Sequence, residues 1–439
     1  MYINNLHMKN FKCFRDDEIN FNTRFNLIVG NNGVGKTSVL EAVAIGISGY
    51  LNEIKSLSTT DRRNITQDDV SIQRNTISEL TEFQPVYPVE LDFKVNINGK
   101  EYSYSRFRQS KSDNTRFDHN SQIKECSKAL NSVLSEGKKE ILPAFVYHGT
   151  GRVWARVSKS AKIENVSNRD YGYKNCINPL SNENQYSKWI EEMRRYEIDE
   201  DVVSSELRAL CITVEKFLGE GSRIRYSIKE KQIIITLPDG RTMPFNKLSD
   251  GYKNAIGIVC DTAFRIIKLN PWLKEKAIEE TPGIMLIDEI DLHLHPSWQK
   301  RIVSDLKNTF PKLQIIATTH APIVISSCTK DEIIMLDARV NENMETQVSI
   351  SYPDTGTKGW LAENILIDIM GINTSRDQET EQQIEEFKAI YQKKFSNGLS
   401  EEEASKFAHL KKILEDKLPS EDPIITLIGF EAYEKSLEE

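Results

Sequence analysis

The sequence lacks the features that define several large classes of protein. Its 439 residues carry a formal net charge of −8, so no overall positive field attracts the chain to nucleic acid. Its six cysteines are scattered without a CxxC pair, which argues against a disulfide framework or a structural zinc site. No apolar run approaches the roughly 20 residues of a membrane span, and the opening MYINNLHMKNFKCF is too polar for a signal peptide. We therefore expect a reduced, cytoplasmic protein that does not contact a membrane.

A glycine-rich segment near the start of the chain indicates a phosphate-binding loop. Residues 30–37 read GNNGVGKT and follow the apolar run 25–29, so strand, loop and helix are expected in succession. The glycines allow backbone N–H groups to approach phosphate oxygens, Lys36 suits the β- and γ-phosphates of ATP, and the Thr37 hydroxyl suits Mg²⁺. The predicted nucleotide-binding residues are Asn32, Gly33, Val34, Gly35, Lys36, Thr37 and Ser38.

Two later segments place ionisable side chains at the ends of apolar strands. IMLIDE ends in Asp288 and Glu289, and IIATTH ends in His320. Asp288 is expected to hold the Mg²⁺ shell, and Glu289 to act as the base that orients the attacking water. His320 is expected to contact the γ-phosphate and respond to its loss. The catalytic residues predicted from the sequence are therefore Glu289 and His320.

The segment LSDGYK places Ser249 and Gly251 at the predicted start of a long helix. A helix N-terminus with a hydroxyl and a small residue presents N–H donors to an anion. Such a loop is useful here only when it faces a γ-phosphate on the phosphate-binding loop of another copy. The motif therefore predicts a head-to-tail homodimer, or a higher even oligomer, with composite ATP sites.

Two features of the later chain leave alternatives open. His293 and His295 lie two residues apart, which is compatible with a metal site, although a loop that faces the dimer partner is favoured. Arg152, in YHGTGRVW, follows a predicted buried strand. It is expected either to contact a phosphate or Mg²⁺-bound water, or to be a surface arginine after a glycine turn.

A basic cluster on a predicted β-hairpin is the best local candidate for contact with nucleic acid. Two alternating runs meet at Asn98-Gly99, the strongest short hairpin signal. Aromatic residues interleave with the positive charges, as in single-strand-binding surfaces. A solvated hairpin face is the favoured reading. The cluster comprises Arg106, Arg108, Lys111 and Arg116.

The order of segments predicts an α/β fold of the ABC-type ATPase head. Strands and helices alternate after residue 250, which predicts a doubly wound, mostly parallel sheet; an antiparallel β lobe and an inserted helical region precede it. The charged tail predicts a helical, partner-binding region. The expected boundaries are 1–345 for the head, containing 1–49 (phosphate-binding half), 50–140 (β and loop insertion), 155–222 (helical insertion) and 223–345 (signature and Walker B half), and 346–439 for the C-terminal helical region.

These segments resemble known families. NFKCF at 10–14, followed by GNNGVGKTS, resembles the start of RecF-, SMC- and OLD-like ATPases, whose signature, Walker B, D-loop and H-loop motifs are similar to LSDGYK, LIDEIDLHLHP and ATTHAPIV. FVYHGTGRVW and YKNCINPLSNENQYSKWIEEM resemble compact AAA-family ATPases that include the PtuA ATPases of Septu-type anti-phage systems, some of them carried by retrons. The resemblance covers about residues 1–340.

The resemblance implies an ATP- and Mg²⁺-dependent sensor ATPase that controls a separate HNH-type nuclease, with DNA or retron nucleic acid as a further ligand. The sequence has no long coiled-coil arm, no TOPRIM-like acidic arrangement in 321–439 and no HNH pattern, so the nuclease is expected on another chain. The alternative is a RecF- or SMC-like DNA-repair ATPase that clamps DNA. A transporter ATPase subunit ranks third, because the NFKCF opening and the HLHP segment do not suit it.

Overall fold

The structure, a computed structural model, describes residues 1–77, 80–118, 122–153, 168–180, 183–340, 346–372 and 374–429. Parts of four expected regions lie outside these ranges: 78–79 and 119–121 of the β and loop insertion, 155–167 and 181–182 of the helical insertion, 341–345 of the signature and Walker B half, and 373 and 430–439 of the C-terminal helical region. The chain forms two compact units, Met1–Ile365 and Leu366–Glu439. The first unit therefore extends beyond residue 345, where the sequence placed the end of the head. No helix in the described ranges is long and apolar enough to cross a membrane.

Nine of the described strands lie within residues 2–148, and strands alternate with helices after residue 250. Most follow the period-2 or continuous apolar patterns of the sequence. They are β1 (Tyr2–Phe11), β2 (Phe14–Asn20), β3 (Phe25–Gly30), β4 (Ile72–Ile77), β5 (Leu80–Pro85), β6 (Val89–Ile97), β7 (Lys100–Arg108), β8 (Arg116–Phe117), β9 (Ala144–His148), β10 (Arg223–Ser227), β11 (Gln232–Thr236), β12 (Thr242–Pro244), β13 (Gly283–Ile287), β14 (Leu313–Thr319), β15 (Ile333–Val340) and β16 (Thr346–Ser351).

The helices range from single turns to 20 residues. They are α1 (Lys36–Tyr50), α2 (Gln122–Ser135), α3 (Glu183–Asp199), α4 (Ser205–Leu218), α5 (Asp250–Leu269), α6 (Ala277–Glu280), α7 (Pro296–Gln299), α8 (Ile302–Thr309), α9 (Pro322–Ile325), α10 (Ala362–Asn364), α11 (Gln378–Asn397) and α12 (Glu401–Lys417), with a further helical stretch at 423–429.

A six-stranded sheet forms the centre of the first unit, in the order β16-β15-β3-β14-β13-β9. The five strands from β15 to β9 run parallel, and β16 pairs with β15 in the antiparallel direction. Strands β13 and β14 are buried along their whole length, which explains their continuous apolar sequence. The fold is therefore α/β with a mostly parallel central sheet, as the sequence predicted.

An antiparallel sheet in the order β2-β1-β6-β7-β8 packs on the other side of α1. Because α1 lies between the two sheets, it is buried on nearly all sides. Gly46 allows the close approach: a Cβ atom there would lie 2.5 Å from the ring of Phe93. The Tyr104 hydroxyl donates a hydrogen bond to the Gly46 carbonyl over 2.9 Å, which fixes the hairpin of β6 and β7 against α1.

Both predictions for the basic cluster, a nucleic-acid surface and a solvated hairpin face, are wrong for its two strand arginines. Alternation along β7 turns Arg106 and Arg108 inwards, and Arg106 is only 2% exposed. Its guanidinium donates to the Ile45 carbonyl over 3.2 Å and to Asn64 Oδ1 over 2.6 Å, and lies 4.7 Å from the centre of the Phe117 ring. These arginines hold the β lobe to α1 and to the loop that follows it.

The second unit is built on a hairpin of two helices. Helices α11 and α12 are preceded by the N-cap residues Asp377 and Ser400, whose side chains each accept a hydrogen bond from the first turn. Phe387 stacks on Phe407 with ring centres 4.9 Å apart. The core contains Ile384, Phe387, Phe407, Leu410, Leu414, Ile424 and Ile428.

Candidate nucleotide site

The candidate site lies where the parallel strands of the central sheet end. Ile287 pairs with Ala317 on one side and with His148 on the other, so the residues that follow β13 lie beside the end of β14. The phosphate-binding loop follows β3, the other neighbour of β14. A pocket of about 300 Å³ opens at this edge. Its lining comprises Lys12, Cys13, Asn32, Gly33, Gly35, Lys36, Thr37, Ser38, Asp288, Glu289, Thr318 and His320.

The glycines of the loop are required by its backbone. Gly33 and Gly35 have φ angles of 83° and 99°, in the left-handed region that disfavours side chains. Gly35 is also crowded, because a Cβ atom there would lie 2.4 Å from Sγ of Cys13. The loop then continues directly into α1, whose first N–H groups have no partner within the helix. This cradle suits the oxygens of a phosphate group.

Lys36 is a buried cation at the base of the pocket. Its Nζ donates to the carbonyl oxygens of Gly30 and Asn31, each over 2.8 Å. Burial lowers the pKa of the Lys36 ammonium, although the nearby Asp288 opposes that shift. Because its two hydrogen-bond acceptors are neutral, they satisfy the donors without cancelling the positive charge. A bound phosphate would supply that missing negative charge.

Asp288 is held by hydroxyl groups from two different elements. Thr37 Oγ1 donates to Asp288 Oδ2 over 2.9 Å, and Thr318 Oγ1 donates to Oδ1 over 2.7 Å. The Thr318 oxygen also accepts the backbone N–H of Glu289 over 2.8 Å. The Thr37 hydroxyl and the carboxylate are oxygen ligands of the kind that Mg²⁺ prefers, and they lie in contact. Thr318 was missed by sequence reasoning, although its place before His320 at the end of β14 could have indicated it.

Glu289 leaves β13 in an unusual backbone conformation. Its φ angle is 49°, in the left-handed region that costs a non-glycine residue conformational energy. The Thr318 hydroxyl binds its N–H, and the Arg152 guanidinium binds its carbonyl oxygen over 2.8 Å. The backbone of Glu289 is thus fixed from both sides while its half-buried carboxylate lines the pocket.

Arg152 takes neither of the two positions expected from the sequence. It does not line the pocket as a phosphate ligand would, and it is not a solvated surface residue. Its guanidinium turns inwards and donates to the carbonyl oxygens of Gly149, Asp288 and Glu289 and to Asn254 Oδ1. Burial lowers the pKa of Arg152 to about 10, so the group stays charged at neutral pH. The arginine is therefore part of the support behind the pocket.

His320 lies at the rim of the same pocket, after β14. Burial and the charge of Lys36 lower the pKa of its imidazole below the usual 6.5, which favours the neutral ring at pH 7. The preceding Thr319 donates its hydroxyl hydrogen to Asp291 and accepts the Ala321 N–H over 3.0 Å. A neutral imidazole held at this rim can donate one hydrogen bond to a bound anion.

Ser249 and Gly251 lie outside the pocket that contains Lys36. Ser249 is exposed at the N-cap of α5, where its side chain makes no capping hydrogen bond. Gly251 packs tightly against the segment after Glu289, because a Cβ atom there would lie 2.5 Å from the His293 carbonyl oxygen. The composite site proposed from these residues requires a second copy and stays a prediction.

The paired histidines are placed differently from each other. His295 caps α7: its Nδ1 accepts the Ser297 N–H over 3.3 Å. His293 has a φ angle of 59° in the turn after Glu289. Among the residues that the structure describes, no group of three or more His, Cys, Asp or Glu side chains is arranged to hold a metal ion.

Comparison with known proteins identifies the relatives of this chain. The chain is 25% identical to the "Retron Vc95 probable ATPase" of Vibrio cholerae, over 71% of this chain and 68% of that protein. It is 28% identical to the "Septu protein PtuA" of Bacillus mycoides, over 83% of this chain but only 44% of that protein. The PtuA of Bacillus thuringiensis is 25% identical over 84% of each chain.

The family comparison covers the phosphate-binding loop and the β lobe. Residues 5–247 match the family described as "AAA domain", which is more than half of the chain. The chain belongs to the AAA-domain family, and it is an ATPase related to those of Septu and retron systems.

Proposed function

We propose that this chain is the ATP-hydrolysing sensor subunit of an anti-phage defence complex, and that it controls a separate HNH-type nuclease. The observation that carries the ATPase part is the meeting of Lys36, Thr37, Asp288, Glu289 and His320 around one pocket. The defence role is supported by the retron and Septu relatives, which align with most of this chain.

The proposed chemistry uses five side chains with separate tasks. Lys36 and the loop N–H groups hold the β- and γ-phosphates, and Thr37 and Asp288 hold Mg²⁺, which when bound neutralises charge on the phosphate oxygens. Glu289 accepts a hydrogen bond from the attacking water and orients it, and His320 donates to the γ-phosphate. The neutral state of His320 suits this task, because a neutral imidazole still offers one N–H donor.

The proposed active form is a head-to-tail homodimer. Ser249 and Asp250, at the start of α5, are exposed and lie apart from the lysine pocket of their own chain. In a dimer they face the γ-phosphate bound to the other copy, and each site then uses residues from both chains. ATP occupancy would thus be coupled to association of the two heads, which gives a partner protein a state to recognise.

The second unit is the proposed attachment point for the nuclease. Its helices α11 and α12 carry many charged residues on their outer faces, and the stacked Phe387 and Phe407 give the hairpin its own core. A charged, independently packed hairpin is suited to binding another protein without disturbing the ATPase head.

The alternative of a RecF-like DNA clamp keeps only the exposed Lys111 and Arg116 of its four expected basic contacts. Arg106 and Arg108 are buried in the β lobe, and the overall charge of −8 gives no general attraction to DNA. A steep salt dependence of DNA-stimulated ATP turnover would nevertheless restore that alternative.

The ATPase assignment is tested by replacing Glu289 with glutamine. Loss of a positioned base costs about 10²- to 10⁴-fold in rate, whereas the phosphate cradle is unchanged, so ATP binding is retained. Turnover is measured by phosphate release and dimerisation by light scattering after size exclusion, with Glu279→Gln, an exposed position on α6, as the control. E289Q that turns over ATP at the wild-type rate would remove Glu289 from the mechanism.

A further inference from the structure

Arg152 is hydrogen-bonded both to residues of the hydrolytic pocket and to the helix that begins at the Ser249 motif. Its Nη1 donates to the Asp288 carbonyl over 2.6 Å, and its Nη2 donates to the Glu289 carbonyl over 2.8 Å. Its Nε donates to Asn254 Oδ1 over 2.5 Å. Asp288 and Glu289 belong to the hydrolytic pocket of the same chain, whereas Asn254 belongs to α5, the helix that begins with the Ser249 motif.

Asn254 extends this connection to the segment after Glu289. Its Nδ2 donates to the Leu292 carbonyl over 2.6 Å, and the side chain is only 4% exposed. Gly251, one residue into the helix, packs against the His293 carbonyl. The first two turns of α5 are thus fixed to residues 288–293 through a guanidinium, an amide and a close backbone contact.

The guanidinium is well suited to transmit a small displacement. Its donors lie in a rigid plane, so a shift of the amide of Asn254 cannot be absorbed by rotation of a single flexible group. Three of its acceptors are carbonyl oxygens of Gly149, Asp288 and Glu289, which belong to the ends of the adjacent strands β9 and β13. The acceptor set includes both residues whose side chains line the pocket.

We infer that Arg152 is a positioning residue that couples the signature helix of each chain to the Glu289 of the same chain, so that occupancy of one composite site affects hydrolysis at the other. This inference rests on the proposed head-to-tail dimer. There, the start of α5 contacts the phosphate held by the partner, while Glu289 serves the ATP held by its own phosphate-binding loop. Arg152 lies between the two and touches neither nucleotide.

Mixed dimers with one working site separate the two roles. One chain of the mixed dimer, the P-loop chain, keeps its phosphate-binding loop and carries Ser249→Arg, which removes its signature motif. The other chain, the signature chain, keeps its signature motif and carries Lys36→Ala, which removes its phosphate-binding lysine. Their heterodimer contains one intact site, built from Lys36 and Glu289 of the P-loop chain and Ser249 of the signature chain. Arg152→Lys is then placed in either chain, and Arg195→Lys, an exposed position on α3, is the matched control.

Coupling predicts that Arg152→Lys lowers turnover of the mixture in both placements, by about 10- to 100-fold. The KM for ATP stays within about threefold in the P-loop chain, because the phosphate cradle is intact. An active parent mixture supports the proposed dimer. A loss of ATP turnover in one placement of Arg152→Lys only, or in neither, then overturns the inference. A parent mixture that forms no heterodimer with ATP, as measured by light scattering, refutes the proposed dimer and the coupling together. A heterodimer that forms but is inactive shows that one disabled site silences the other, as the coupling requires.

A second variant covers the case in which Arg152→Lys does not fold. Asn254→Ala removes the amide but leaves the carbonyl contacts of Arg152 in place. In the P-loop chain the altered helix belongs to the inactive site, so lower turnover there must act through Arg152 or Leu292 on Glu289. Turnover equal to that of the parent mixture would overturn the inference.

Discussion

Replacing Thr318 with valine tests how the support behind the pocket holds the Walker B residues. Valine keeps the shape of the side chain but removes the oxygen that accepts the Glu289 N–H and donates to Asp288. Thr318 is completely buried, so water cannot replace either hydrogen bond. The expected effect is local loss of structure after β13, with lower ATP turnover.

The magnitude follows from the two groups that lose their partner. A buried polar group left without a hydrogen bond costs about 1–3 kcal/mol, and Asp288 retains the Thr37 hydroxyl, so the total is about 2–4 kcal/mol. At about 1.4 kcal/mol per factor of ten, the Glu289 amide should exchange its hydrogen with solvent roughly 30-fold faster or more.

Hydrogen exchange measured by mass spectrometry on peptides that cover 284–292 follows this amide directly. Thr318→Ser is the matched control, because it keeps the hydroxyl and loses one buried methyl group, at about 1 kcal/mol. Peptides from α12, in the other compact unit, should exchange as in the wild type. Wild-type exchange at 284–292 in Thr318→Val would refute the assigned role of the hydroxyl.

Three further predictions concern other parts of the chain. The pKa of His320 lies below 6.5, so the neutral imidazole contributes fully to folding stability above pH 6.5, and this contribution is lost as the pH falls through the folded pKa. An NMR titration midpoint above 6.5, assigned with His320→Asn, would contradict this. Arg106→Glu should lower the melting temperature, because it places a carboxylate in a fully buried site, whereas exposed Arg116→Glu should not; equal melting curves would argue against the buried setting of Arg106. Phe387→Ala should destabilise the second unit by about 3–5 kcal/mol, and unchanged protease resistance of that unit would contradict its packing.

The fold class and the central pocket residues could be predicted because their signals are local. Lys36 and Thr37 follow a glycine pattern that has one structural meaning after an apolar strand, and Asp288 ends another such strand. Parallel strands end at one edge of a sheet, so the meeting of these groups followed from the α/β alternation alone. The strand β16, by contrast, is short and has only Val348 and Ile350 in alternation with polar residues, and its residues were assigned to the helical region that follows.

The supporting residues could not be predicted because their partners are far away in the sequence. Arg152 and Asn254 are separated by about a hundred residues, and neither belongs to a motif whose chemistry requires the other. The burial of Arg106 could not be predicted for a related reason: arginines that alternate with aromatic residues suit a nucleic-acid surface and an inward strand face equally well. Only the packing of β7 against α1 decides between the two.

The central claim is that ATP turnover in this chain controls a separate nuclease. The most direct test is to purify the tagged protein from its native operon, identify co-purifying proteins by mass spectrometry, and measure plasmid cleavage for the wild type and Glu289→Gln. The account predicts a co-purifying nuclease whose cleavage depends on ATP and differs between the two proteins. A homodimer that purifies without a nuclease, and whose ATP turnover rises with added DNA, would contradict it.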